Sequence, residues 1–145
     1  MNPIRPARRP LLFALLVAVA TAGCAGTGTP THPAIGSTGP RPSSPATVEI
    51  VSPAPSTTVQ GDTLHVVLRL NGGTLVPQTT TDIRPDEGHV HLYVNNQLVS
   101  MNYGLEQDIP TQPGTTVLKA EFVAADHAPF SPRVWSTDVV FTVTE

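Results

Sequence analysis

Gly88-His89-Val90-His91-Leu92-Tyr93-Val94 alternates strictly. Val90, Leu92 and Val94 fall on one side; His89, His91 and Tyr93 fall on the other. A period of two belongs to a β-strand with one face on a core. The same period recurs on either side of this stretch. Residues 63–70 place Leu64, Val66, Leu68 and Leu70 inward, with His65, Val67 and Arg69 outward, and Asn71-Gly72-Gly73 ends the run as a turn. A short strand over 48–51 comes before it, stopped by Ser52-Pro53-Ala54-Pro55. Residues 78–87 are polar and read as a loop.

Downstream, Asn95-Asn96 suits a tight turn into a strand over 97–101, after which Met101-Asn102-Tyr103-Gly104 leaves the sheet. Pro110-Thr111-Gln112-Pro113-Gly114 is a further turn. Residues 115–124 form a strand with Leu118, Ala120 and Phe122 inward. Asp126-His127-Ala128-Pro129-Phe130-Ser131-Pro132 reads as a loop, because its two prolines cannot donate to a ladder. Residues 134–144 form the last strand, with Val139, Phe141 and Val143 inward. About seven strands with closely spaced turns and no helical period indicate an all-β protein, an antiparallel β-sandwich, with a small barrel as the alternative. With one cysteine in the chain, a Cys-Trp-Cys antibody framework is excluded.

The chain begins differently. Arg5, Arg8 and Arg9 precede an unbroken apolar run over 11–20, and Thr21-Ala22-Gly23 follows. Basic, apolar and small-residue regions in that order make a secretory signal over 1–23. The run is shorter than the roughly 20 residues of a spanning helix. Thr-Ala-Gly-Cys resembles the lipobox of bacterial lipoproteins, with Thr21 where leucine is usual. The resemblance implies that Cys24 is acylated and becomes the mature N-terminus, which accounts for an exported cysteine with no partner. Several acyl chains on one residue anchor stably, since each buried methylene contributes about 0.8 kcal/mol. Residues 24–46 are Pro, Gly, Ser and Thr with almost no bulky apolar side chain. The expectation is a disordered tether, with His32 as a solvated residue of it. A folded domain over 47–145 follows.

Loss of the signal leaves five basic residues against eleven acids, a formal charge of −6. An acidic domain with few aromatics argues against nucleic acid as a partner. The expected partners are the membrane, through the lipid anchor on the outer face of the cell membrane, and an extracytoplasmic protein or small ligand.

The Gly88–Val94 stretch, the turn Pro113-Gly114-Thr115-Thr116-Val117-Leu118 and the 126–132 segment together resemble uncharacterised immunoglobulin-like domains of exported bacterial proteins. Those carry a Gly-His-x-His strand and an Asp-His-x-Pro loop before the last strand. The resemblance spans roughly residues 48–143 and implies fold and export, without an activity.

The histidines carry the candidate chemistry. His89 and His91 are about 6.6 Å apart along one strand face, and His127 can add a third nitrogen. Three histidines with an open position suit zinc or copper. Asp126 is a candidate to orient an imidazole from behind, and Met101 is a candidate soft copper ligand. The alternative is an exposed polar face with no ion. Gly-x-Ser-x-Gly, a phosphate-cradling loop and His-Glu-x-x-His are all missing from the sequence. The expected function is therefore a non-catalytic, membrane-anchored binding or interaction module. A histidine-based zinc or copper protein is the first alternative and a metal-assisted enzyme the second.

Overall fold

The computed structural model describes residues 39–145. The expected signal, Cys24 and His32 lie outside the described residues. Ten strands form: β1 (Thr47–Ser52), β2 (Thr58–Gln60), β3 (Thr63–Asn71), β4 (Thr74–Leu75), β5 (Glu87–Val94), β6 (Gln97–Asn102), β7 (Glu106–Pro110), β8 (Gly114–Ala124), β9 (Pro129–Trp135) and β10 (Val139–Thr144). The smaller sheet runs β1-β3-β7. The larger runs β2-β10-β8-β5-β4, with β6 also on β5 and β9 also on β8. Most pairings are antiparallel, whereas β2 on β10 and β4 on β5 are parallel.

The two sheets close on one core. Val48, Leu64, Val66, Leu68 and Ile109 come from the smaller sheet; Val90, Leu92, Leu118, Ala120, Phe122, Phe141 and Val143 come from the larger. These are the inward positions that alternation selects. The all-β sandwich expected from periodicity is the fold observed.

The strand count is higher than about seven because short segments pair as well. The stretch over 134–144 is two strands: the chain breaks at 136–138, where the Ser136 hydroxyl accepts from the Ala120 amide. The proline segment is not wholly a loop. Pro129 pairs with Val123 and Val134 with Phe122, so the residues between them bulge out of register and Pro132 is spared a ladder position. Within that bulge Phe130 turns inward and stacks on Phe122, with ring centroids 5.4 Å apart.

The turn at Asn95 and Asn96 is as expected. Both have positive φ, 49° and 68°, as a two-residue hairpin turn requires. Residues 41–46, assigned by composition to the tether, lie against the domain. Arg41 is hydrogen-bonded to the 126–129 segment, the Pro42 carbonyl accepts from the Ser131 amide, and Ala46 is buried in the core.

Gly88, the first residue of the histidine motif, has a packing reason. A Cβ there would lie 1.9 Å from the Val123 carbonyl oxygen. Only glycine lets β5 approach β8 this closely at that point.

Candidate functional site

The outward face of β5 is covered. His89 is fully buried and His91 is 4% exposed, so neither stands in solvent as a surface polar face would. The cover is the Ala125–Ala128 turn. It is closed by the His127 amide donating to the Ala124 carbonyl and the Ala124 amide donating to the Ala128 carbonyl. His127 sits there at φ 62°, a left-handed conformation that costs most side chains energy and that histidine enters more often than most. The result is a ring laid over β5.

The three imidazoles are not equivalent. His91 Nε2 and His127 Nδ1 face each other at 3.0 Å, with rings 18° from parallel and centroids 5.3 Å apart. That is an in-line arrangement, in which one nitrogen donates to the other. The far nitrogen of His127, Nε2, meets Thr79 Oγ1 at 2.9 Å. His89 lies differently, stacked face to face on His127 at 4.3 Å and 17°. Its Nε2 is 3.2 Å from the Ala125 carbonyl. A carbonyl only accepts, so Nε2 carries the proton; Nδ1 is buried without a hydrogen bond of good geometry, and the Val76 backbone also lies against the ring. Tyr103 packs edge-on against His89 at 4.7 Å.

Imidazole lone pairs lie in the ring plane. Stacked rings therefore cannot aim at one ion, and His89 does not converge with His127. Among the described residues no group of three or more His, Cys, Asp or Glu is placed to hold a metal ion. The expected set of His89, His91 and His127 is brought together as a ring cluster, and within it only His91 and His127 point at a common position.

All three imidazoles are held neutral. Burial first and the neighbouring His127 second lower the His91 pKa to about 4, against an opposing pull from Glu121. His89 is lowered by burial and by His127. His127 is lowered by burial, opposed by Asp126.

Asp126 does not stand behind an imidazole. Its side chain is fully buried against Arg41, whose Nη1 and Nη2 donate to its two oxygens at 2.7 and 2.9 Å. Arg41 also donates to the Ala128 and Pro129 carbonyls, each at 2.9 Å. One guanidinium therefore ties down the turn that carries His127, 85 residues away from it in sequence. The sequence pointer was slight: one arginine in an otherwise uncharged Pro/Ser stretch.

Glu121 is the other residue periodicity passed over. It faces His91 across the β5–β8 register and is fully buried. Arg133 donates to both of its oxygens at 2.6 and 2.7 Å, and the Tyr93 hydroxyl donates at 3.0 Å. The hydrogen bond to Glu121 raises the Arg133 pKa, and burial raises that of Tyr93. Trp135 caps this group, 4.4 Å from the Arg133 guanidinium and 5.2 Å from the Tyr93 ring. Glu121 is thus fully engaged and is no free base. On the other edge of β5, Met101 is the direct cross-strand partner of His91 and is 53% exposed.

No family model matches the chain, and no curated protein matches it. Among solved structures it is similar to an engineered protein determined at 1.98 Å, with 15% identity, a TM-score of 0.42, and coverage of 69% of this chain and 20% of that one. The chain spans a fifth of that structure's length, and a likeness this slight carries no argument.

Proposed function

We propose that this protein is a lipid-anchored, extracytoplasmic binding module without a catalytic step, and that its histidine face takes a transition-metal ion, zinc or copper. The His91–His127 pair carries the reading. Two neutral imidazole nitrogens face each other at 3.0 Å, held there by a turn that accepts a left-handed histidine. Neutral imidazole is the form that ligates. Two nitrogens that share an ion at about 2.0–2.1 Å stand roughly 3.3–3.6 Å apart at tetrahedral to trigonal angles. The pair thus needs to open by about half an ångström, with each ring turning by about 30–35° to aim its in-plane lone pair at the ion. Among the described residues the carboxylates near the pair are already engaged, Glu121 by Arg133 and Asp126 by Arg41, which supports binding over catalysis. Anchoring rests on the apolar run and the lone Cys24.

Imidazole nuclear magnetic resonance tests this reading. On stoichiometric Zn²⁺ the His91 and His127 ring signals should shift together, with His65 and His32 little changed. Shifts confined to His65 and His32 would refute it. A second reading, a protein-docking face, is favoured by Leu98, Met101, Tyr103 and Trp135, all exposed around the cluster.

A further inference from the structure

We infer that the site is a soft-metal site selective for Cu⁺, with His91 Nε2, His127 Nδ1 and the Met101 thioether as its three donors. This rests on the metal-binding reading above and names its ion and its third ligand.

Three observations converge. First, a pair of in-line imidazoles leaves a low coordination number, which suits Cu⁺ better than an ion that demands four donors. Zn²⁺ sites are almost always four-coordinate. The third imidazole is withheld by its stacking, and the two nearby carboxylates are committed to Arg41 and Arg133. A hard ion would find too few donors here.

Second, Met101 stands directly opposite His91 in the β5–β6 ladder. Directly opposed residues point to the same face with Cβ atoms about 4.5–5.5 Å apart. An unbranched methionine reaches across that gap by rotating its side chain. Thioether sulfur is a soft ligand and selects Cu⁺.

Third, Met101 is more than half exposed, near the end of β6, whose Val99 packs on the core. It is absent from the buried core, so it can turn toward His91 without opening the sandwich.

The test uses the full chain carrying Cys24→Ser and His32→Ala, so that neither the thiol nor the tether histidine contributes. Cu⁺ affinity is read by competition with a chromogenic Cu⁺ chelator under anaerobic conditions, Zn²⁺ affinity by calorimetry, and the donor set by X-ray absorption. The expected result is a sulfur bound directly to copper and Cu⁺ binding weakened at least roughly tenfold, about 1.4 kcal/mol, in Met101→Leu, with Zn²⁺ binding unchanged. His91→Ala and His127→Asn should abolish both; asparagine tolerates the left-handed backbone at 127, and circular dichroism checks that each variant folds. Unchanged Cu⁺ affinity in Met101→Leu, or Zn²⁺ held more tightly than Cu⁺, overturns the soft-metal inference and leaves the imidazole pair as the site. Metal binding that survives both histidine variants, or no binding of any ion, overturns this inference and the metal reading beneath it.

Discussion

Removing the Arg41 guanidinium should destabilise the domain far more than its place in a Pro/Ser-rich segment suggests. Arg41→Ala deletes two charge-assisted bonds to Asp126 and two to the Ala128 and Pro129 carbonyls. The Asp126 side chain has no solvent exposure and that of Arg41 only 20%, so the carboxylate left behind cannot be rehydrated without moving the turn. Breaking a buried pair in this way costs about 3–5 kcal/mol. Water reaches the arginine end, which places the expectation near the low end, about 3 kcal/mol, out of a total of about 5–15 kcal/mol for such a domain. Urea unfolding followed by Trp135 fluorescence measures it. Arg69→Ala is the control, because the Arg69–Glu49 pair is 58% and 53% exposed and should cost about 1 kcal/mol or less. Arg41→Ala combined with Asp126→Asn should recover part of the loss, since the uncompensated charge is then gone. If Arg41→Ala costs no more than Arg69→Ala, the segment is not a clamp and the account of how His127 is held fails.

Stability of the metal-free protein should fall as pH drops from about 6.5 towards 4. His91 titrates near 6.5 unfolded and about 4 folded, so the unfolded state binds the proton first and stability rises with pH across that window. The effect is at most roughly 3 kcal/mol at about 1.36 kcal/mol per unit; His89 and His127, lowered as well, act with the same sign. A urea midpoint that does not change between pH 7 and pH 5 refutes it. Gly88→Ala should lose about 3 kcal/mol or more, because the new methyl meets the Val123 carbonyl and the β5–β8 pair must part; a melting temperature within a few degrees of the parent would show that the strands yield easily. Cys24→Ser should move the protein from the detergent phase to the aqueous phase or leave it unprocessed, as fractionation of cells reads directly; unchanged membrane association removes the lipid anchor.

Periodicity made the inner face readable and left the outer face undecided, for one physical reason. Alternation states which residues share a side of a strand; it does not state what lies over that side. Val90 and Leu92 were legible because a core has only one place to be, and both are fully buried. His89 and His91 look identical by the same rule, yet one is stacked and the other is met in line. The difference comes from His127, 36 residues further along the chain, and from a turn fixed by Arg41, which composition assigns to a tether. Glu121 was hidden in the same way. An acid among apolar neighbours reads as an outward residue, and only the tertiary approach of Arg133 and Tyr93 allows it to be buried. The signals that could have found these contacts are pairs rather than periods: a lone arginine before the domain for a lone buried aspartate, and a lone acid in β8 for an arginine in β9. The chemistry of the outer face is therefore set by where the 125–128 turn lands. Displacing the His127 ring by Arg41→Ala, or removing it by His127→Asn, should change what His91 can do while leaving the sandwich core in place.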